Sequence, residues 1–431
     1  MFGGGACARR YTRVMRTSYS CQGLRTLSSV HAVCGSSIGK SWPALRPHSH
    51  LLQPSHRQQS SSFVGEDGDR GGQLQLAHVR GDDSEPLLSL TVDELLKRAA
   101  RSHPDAPALI CPEEAATGDG SCNSRARMSY AELDGAVEAA ARGLLALGIR
   151  PGDRVGTWLP NVPEYVVLQF ATARMGAVLT TMNPAYRLPE LIHAMDTTQT
   201  KMLVIVPGIA SSDYLQMVRE LLAHDNRPAT LENIIVVPGL MSADGDTGDR
   251  APVPVDAEQA ARSLGYPMVR PYSDLSTAAV EMIWQDGIVE PFHISEVADT
   301  VNIQFTSGTT GLPKAVALSH RNIVNNAHFV AQAQNLTAMD RICVPVPMYH
   351  CFGVVMGSLA AVSTSAALVF PSRTFNPEKT LAAVESEGCT ALYGVPTMFI
   401  AELAHENFAN YDLGTLRTGI MAGSVRARPR P

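Results

Sequence analysis

The chain reads Thr306-Ser307-Gly308-Thr309-Thr310-Gly311-Leu312-Pro313-Lys314 between two short segments rich in apolar residues. Glycines let the backbone turn so that several N–H groups converge on one anion, and such a concavity is a known anion site. The hydroxyls add neutral donors and Lys314 adds a positive charge. The combination predicts a loop that binds the phosphates of a nucleotide. A Gly/Thr turn without a ligand is the alternative, and nine suitable positions in a row argue against it.

The segments on either side of this loop have the pattern of β-strands. Residues 301–305 alternate apolar and polar side chains, and residues 314–320 are typical of a second strand. We therefore expect the loop to cap a hairpin. It is not a Walker A loop, because Leu312 and Pro313 separate Gly311 from Lys314.

From about residue 87 the chain alternates between helical and strand patterns. Helices are predicted from Thr91 and Ser129 onward and over residues 163–175, 188–195 and 215–222. Strands are predicted over residues 154–159, 177–182, 202–206 and 234–237. This order predicts an α/β fold with doubly wound, mainly parallel sheets and flanking helices. Residues 112–127 and 239–262 show little periodicity and are expected to form surface loops.

Residues 305–316, which contain the loop, resemble the phosphate-loop signature of the adenylate-forming superfamily of acyl-CoA synthetases, luciferases and peptide-synthetase adenylation domains. Residues 128–133, 148–155 and 175–178 resemble earlier signatures of the same superfamily, in the same order. The resemblance covers residues 85–424 and implies the N-terminal, AMP-binding domain of an acyl-CoA synthetase. Superfamily members join a carboxylate to AMP with loss of pyrophosphate, and a thiol then takes the acyl group. The resemblance implies that Thr306 to Lys314 bind ATP, with Mg2+ as cofactor and coenzyme A as co-substrate.

A second motif, about thirty residues later, reads Pro345-Val346-Pro347-Met348-Tyr349-His350-Cys351-Phe352-Gly353. Proline and glycine favour irregular backbone around a histidine and two aromatic residues, as in many pocket walls. The resemblance implies that His350 is a catalytic residue beside the substrate carboxylate, which it orients rather than deprotonates. A buried structural histidine is the alternative. No base and orienting residue accompany Cys351, so we expect this cysteine to serve packing.

The substrate class also follows from resemblance. Residues 391–397 resemble the strand and turn that line the acyl tunnel of fatty-acid members, and residues 171–187 resemble mitochondrial medium-chain acyl-CoA synthetases. Members that activate amino acids usually carry an aspartate for the substrate amine after the second motif, and no acidic residue lies between residues 352 and 370. A medium-chain fatty acid is therefore the expected substrate. Adenylation of another carboxylic acid, and a non-catalytic form that at most binds nucleotide, remain open.

Composition separates a leader from the rest of the chain. Residues 1–65 contain seven Arg and one Lys but no Asp or Glu, as in mitochondrial transit peptides, so import into the matrix is predicted. The total net charge of −6 gives no indication of nucleic-acid binding. The 8 cysteines include no Cys-x-x-Cys, which argues against a zinc site or a disulfide framework. No segment is expected to span a membrane, and the oligomeric state stays open.

The resemblance ends near Ser424. Superfamily members continue with a glutamate that holds magnesium, an aspartate that binds the ribose and a mobile C-terminal domain that carries a lysine. We find none of these after residue 424, so we name no metal ligand. Residues 425–431 are expected to form an unrelated basic tail, without a C-terminal lid domain.

Overall fold

The computed structural model describes residues 86–112, 127–209, 212–241, 253–277, 292–306 and 312–423. The predicted leader, the basic tail and residues 307–311 of the phosphate loop lie outside these ranges. The described residues from Leu87 to Gly423 belong to one compact unit.

The larger of two main sheets has seven strands. Their order from one edge to the other is β11 (Val269–Pro271), β8 (Asn233–Val236), β5 (Thr200–Ile205), β3 (Arg154–Trp158), β4 (Val178–Thr181), β12 (Thr300–Thr306) and β13 (Lys314–Ser319). All neighbours are parallel except β12 and β13, which form an antiparallel hairpin. The hairpin predicted around the phosphate loop is therefore confirmed, and it forms one edge of this sheet.

The smaller main sheet has six strands and is also mainly parallel. Their order is β17 (Thr418–Met421), β16 (Ala391–Gly394), β14 (Arg341–Cys343), β15 (Ala367–Val369), β1 (Pro107–Ile110) and β2 (Arg127–Ser129), with only the last pair antiparallel. Two short hairpins join β6 (Gly208–Ile209) to β7 (Ser212–Asp213) and β9 (Gly239–Met241) to β10 (Val253–Val255). The predicted α/β class with mainly parallel sheets is confirmed.

Helices connect the strands and flank the sheets. The α-helices are α1 (Val92–Ser102), α2 (Tyr130–Ala146), α3 (Pro163–Met175), α4 (Leu188–Thr198), α5 (Tyr214–Ala223), α6 (Ala257–Leu264), α7 (His320–Ala333), α8 (Ala360–Thr364), α9 (Pro377–Glu387) and α10 (Pro396–Leu403). A π-helix, Phe352–Leu359, precedes α8, and a 3-10 turn covers Phe408–Asn410. No helix among the described residues is long and apolar enough to cross a membrane.

Local signals for the ends of helices are confirmed. The Thr91 side chain accepts the Glu94 N–H while Glu94 binds the Thr91 N–H, which forms a capping box at α1. Ser129 and Glu132 make the same reciprocal pair at α2. Each pair satisfies two backbone donors that a helix start otherwise leaves without a partner.

The loop prediction for residues 239–262 is wrong in part. The structure places β9, β10 and most of α6 there. Asp256 caps α6 by accepting the N–H groups of Glu258 and Gln259. The helix buries side chains at helical spacing, and these are Ala257, Ala260, Ala261 and Leu264. Three of the four are alanines, so the apolar stripe was too weak to stand out from its polar neighbours.

Helix α3 is the centre of the unit, because all of its residues are buried. Its Arg174 guanidinium, which is 1% exposed, binds carboxylates of α1 and α2: Asp93 at 2.6 Å, Glu138 at 3.2 Å and Asp134. A buried cation with three anionic partners is compensated, whereas removal of one partner from such a pair is strongly destabilising. These ion pairs anchor α3, the helix that carries Tyr165 and Gln169, both of which are described below.

Candidate functional site

The β12–β13 hairpin presents the ends of the predicted phosphate loop. Thr306 and Lys314 are paired residues at the last rung of the ladder, and the Thr306 hydroxyl lies 3.5 Å from the Lys314 carbonyl oxygen. The side chains of Thr306, Leu312 and Lys314 are exposed. Ser307, Gly308, Thr309, Thr310 and Gly311 lie outside the described residues, so their role stays a prediction.

Helix α4 and the turn before it contact this hairpin. His193 Nε2 lies 3.2 Å from the Pro313 carbonyl oxygen, directly before Lys314. The Tyr186 ring meets the Phe305 ring edge to face, with centroids 6.3 Å apart. The hairpin is thus held by one polar contact and one aromatic contact from the same part of the chain.

Three tyrosines connect the hairpin to the second motif. Burial raises the pKa of Tyr186 to about 12, with smaller contributions from Tyr349 and Glu190. Burial raises the pKa of Tyr165 as well, and Tyr349 again adds to the effect. Tyr349 thus contributes to the electrostatic environment of both phenols. Helix α7, which directly follows β13, packs against the π-helix that begins at Phe352, so the hairpin and the second motif continue into neighbouring elements.

The hydrogen bonds of His350 define its protonation state. Its Nδ1 accepts the backbone N–H of Phe352 at 3.1 Å, and burial lowers its pKa although the side chain is exposed on one side. The neutral ring therefore carries its proton on Nε2. Nε2–H is free to donate toward a ligand oxygen, which fits the predicted orienting role better than proton transfer. That role itself remains a proposal.

Cys351 shows no sign of nucleophilic activation. Its Sγ lies 3.5 Å from His350 Nδ1, which already accepts the Phe352 N–H. Burial raises the pKa of the thiol, so the thiolate is disfavoured. Both observations agree with the expectation that Cys351 serves packing.

Asn161, which precedes α3, holds the backbone of the second motif. Its Oδ1 accepts the Met348 N–H at 2.9 Å, and its Nδ2 donates to the carbonyl oxygens of Val346 at 3.0 Å and Val344 at 3.4 Å. The side chain is 4% exposed. Sequence reasoning missed this residue because its partners lie more than 180 positions away.

The predicted wall of the acyl tunnel meets the same motif. The Phe352 ring stacks against the Tyr393 ring with centroids 5.9 Å apart. Gly423 has a φ of +86°, and a Cβ there would lie 3.1 Å from the Val395 side chain and 4.0 Å from that of Phe352. The segments around residues 352, 393 and 423 therefore converge.

Within the described ranges, no group of three or more His, Cys, Asp or Glu side chains is placed to hold a metal ion.

A sequence profile described as "AMP-binding enzyme" matches residues 96–428. The chain belongs to this family. The match extends over both main sheets and includes the hairpin and the second motif.

Relatives within the AMP-binding family are acyl-CoA ligases. The chain is 36% identical over 354 residues to the medium-chain acyl-CoA ligase ACSF2, mitochondrial, of Danio rerio, covering 81% of this chain and 54% of that relative. It is 36% identical over 364 residues to the acyl-CoA ligase sidI of Aspergillus fumigatus, covering 82% and 54%. The resemblance to mitochondrial medium-chain acyl-CoA synthetases, stated from residues 171–187, is confirmed. The chain spans about half the length of the curated relatives it matches.

Solved structures of family members share the fold. The anthranilate CoA ligase AuaEII in complex with anthranoyl-AMP superposes with a TM-score of 0.61 at 19% identity, covering 78% of this chain and 56% of that one. Mycobacterium smegmatis MbtA, in its apo form, superposes with a TM-score of 0.58 at 27% identity, covering 79% and 53%.

Proposed function

We propose that this chain carries the nucleotide and acyl sites of an ATP-dependent ligase that converts a medium-chain fatty acid, through its acyl-adenylate, to a coenzyme A thioester. The observation that carries the proposal is that the two motifs continue into neighbouring elements. The hairpin with Thr306 and Lys314 leads into α7, and α7 packs against the π-helix that begins two residues after His350.

The proposed reaction has two steps. A carboxylate oxygen of the fatty acid attacks the α-phosphorus of ATP, an O–P bond forms, and pyrophosphate leaves with the electron pair of the broken P–O bond. The thiolate of coenzyme A then attacks the acyl carbon, and AMP leaves. Charge builds up on the phosphorus oxygens in the first step, so positioned donors and cations stabilise its transition state.

The roles of the residues follow from their chemistry. Lys314 is proposed to neutralise phosphate charge, and the backbone and hydroxyls of residues 306–313 to cradle it. His350 is proposed to donate from Nε2 to the substrate carboxylate, since its Nδ1 is already an acceptor. Mg2+, when bound with ATP, would neutralise further phosphate charge.

The proposal also includes the chain length of the fatty acid, the location of the protein and the limits of its domains. The names of the ACSF2 relatives support a medium-chain substrate and a mitochondrial location, and other relatives are fungal acyl-CoA ligases. The matrix as the compartment rests on the Arg-rich leader alone. The proposed limits are a leader at residues 1–65, an AMP-binding domain at residues 85–424 and a separate tail at residues 425–431. The mature N-terminus, measured after import into isolated mitochondria, tests the first limit; an unprocessed, unimported chain would contradict it.

ATP–pyrophosphate exchange tests the adenylation step. The full chain is incubated with ATP, Mg2+, labelled pyrophosphate and octanoate, and parallel reactions contain acetate, palmitate or benzoate. Exchange that is strongest with octanoate supports the proposal, and exchange that prefers benzoate supports adenylation of another acid. A folded chain that binds ATP in a calorimetric titration but catalyses no exchange would support the non-catalytic alternative.

A further inference from the structure

One buried side chain outside the sequence motifs joins α3 to the π-helix that follows His350. Gln169 is 4% exposed and lies in the middle of α3. Its Nε2 donates to the Val354 carbonyl oxygen at 2.9 Å, and its Oε1 accepts the Ser358 hydroxyl at 2.8 Å. Both partners belong to the π-helix, Phe352–Leu359.

The π-helix is the unusual element of the fold. Helices with hydrogen bonds between residues five apart are rare, mostly single turns, and often occur at functional sites. Relative to an α-helix they insert one residue, which turns the segments on either side by about 100° relative to each other. His350 and Cys351 lie before this turn and α8 lies after it, so the π-form sets their relative orientation.

The turn has one open face. Between residues 351 and 362, Cys351 and Met356 are half-buried and all others are buried. In an α-helix these two positions, five apart, would point about 140° away from each other. In a π-helix residues five apart are hydrogen-bonded neighbours, so both side chains share one face, and Cys351 on that face lies 3.5 Å from His350 Nδ1.

The contacts around Gln169 favour this form over an α-helix. The Gln169 amide gives the Val354 carbonyl a donor from outside the turn, and the Ser358 hydroxyl holds the amide in place. A cavity of about 10 Å³ beside Gln169, Val354 and Val355 leaves room for at most about one water, so water does not readily replace the side chain.

We propose that Gln169 is a positioning residue: it holds Phe352–Leu359 in the π-form and thereby orients His350 and the open face of Cys351 and Met356. The effect on ligands rests on the function proposed above, whereas the effect on the turn does not. Gln169 touches no reacting atom and acts through the backbone of Val354.

The test compares three variants of the full chain with the unchanged protein. Gln169→Met keeps the length of the side chain but removes both hydrogen bonds. Ser358→Ala removes only the bond to Gln169 Oε1 and is the milder change, informative even where Gln169→Met fails to fold. Asn325→Leu is the matched control, because Asn325 is a buried amide that binds the Leu88 backbone with both of its polar atoms.

The primary readouts are hydrogen–deuterium exchange of residues 352–360 and the alkylation rate of Cys351, both resolved by peptide mass spectrometry. We expect Gln169→Met to raise both about tenfold, which is the factor that one unmatched buried hydrogen bond corresponds to. Ser358→Ala should raise both about threefold. Asn325→Leu should lower the melting temperature without this local change. Equal exchange in the 352–360 peptide of Gln169→Met and Asn325→Leu, or no change in Ser358→Ala, overturns the proposal.

Ligand binding separates this inference from the proposed function. Calorimetric titration should show octanoate binding weakened about tenfold in Gln169→Met while ATP binding stays unchanged. If the unchanged protein does not bind octanoate but the variants still alter the turn, the proposed function is contradicted and the positioning role of Gln169 is supported. Equal loss of ATP and octanoate affinity means general damage and contradicts a positioning role.

Discussion

The hairpin that carries Lys314 is exposed along most of β13. The segment that carries His350 is instead held by two buried side chains, those of Asn161 and of Gln169 in α3. The two segments also differ in their sequence. The first is a local motif of glycines, hydroxyls and one lysine, and its hairpin pairs residues close in the chain. The second depends on Asn161 and Gln169, each more than 180 residues earlier. The hairpin can thus be predicted from residues close to it in the chain, but the geometry around His350 requires the rest of the fold.

Replacing Asn161 should have the largest effect, because it removes the support of the buried segment. Asn161→Leu leaves the Met348 N–H and the Val346 carbonyl oxygen buried without this partner. We expect a loss of about 4 kcal/mol in the free energy of unfolding, measured by urea denaturation. Gln216→Leu, at an exposed amide of α5, is the control and should change it by less than about 0.5 kcal/mol. Equal losses in the two variants would show that Asn161 does not hold the segment.

Acid should loosen a buried contact beside the hairpin, that of His320, which follows β13. Its Nδ1 accepts the Val92 N–H at 3.0 Å, and burial lowers its pKa to about 4, against the opposing effect of Asp299, Glu94 and Asp93. The unfolded value is about 6.5, so the folded state binds this proton less tightly than the unfolded state. The contribution to stability is complete above about pH 6.5 and is lost as pH falls to about 4, at a cost of about 3 kcal/mol.

His320→Asn isolates this effect, because an amide oxygen can accept the Val92 N–H without titrating in this range. Urea denaturation between pH 7 and pH 4 should give a shallower slope of unfolding free energy against pH for the variant. Identical slopes would assign the acid sensitivity to other groups.

A methyl group at Gly353 should disturb the second motif without touching the hairpin. A Cβ there would lie 2.4 Å from the Pro347 carbonyl oxygen and 2.7 Å from its carbon, which are backbone atoms that cannot rotate away. We expect Gly353→Ala to lose about 2 kcal/mol of unfolding free energy. Gly135→Ala in α2, where no atom lies within 4 Å, should instead gain up to about 1 kcal/mol. The same sign in both variants would contradict the close approach at Gly353.

Removing the charge of Lys314 should have the smallest effect on folding and a selective effect on binding. Lys314 is exposed, so Lys314→Met should change the unfolding free energy by less than about 0.5 kcal/mol. ATP affinity should fall about tenfold, because the residue is proposed to contact phosphate. Lys379→Met, at an exposed position of α9, is the control for calorimetry. Unchanged ATP affinity in Lys314→Met would remove Lys314 from the proposed site.

Features determined by neighbouring residues could be predicted from the sequence. The capping boxes at Thr91 and Ser129 and the hairpin around the loop depend on residues that are close in the chain. The alternation of helices and strands also predicted the class of the fold. Helix α6 was missed although Asp256 and four buried positions at helical spacing indicate it, because its stripe consists mostly of alanine.

Features determined by distant partners could not be predicted. The sequence near Asn161, Gln169 and Arg174 does not indicate their roles. A buried polar side chain stabilises the fold only through the group that it binds, and these groups lie far away in the chain. The π-form of Phe352–Leu359 could not be predicted for the same reason. The extra residue in this turn depends on packing against α3.

The position of β13 at the end of its sheet gives Lys314 a consequence that has nothing to do with nucleotides. An edge strand offers unpaired N–H and C=O groups to other chains, and charged side chains, lysine above all, discourage such pairing. Along β13, Lys314 is followed by exposed Ala315, Val316 and Ala317, which carry no charge. We therefore expect Lys314 also to reduce association between copies of the chain through this edge. Lys314→Met should scatter more light than Lys379→Met at high concentration, and comparisons of ATP affinity are best made in dilute solution.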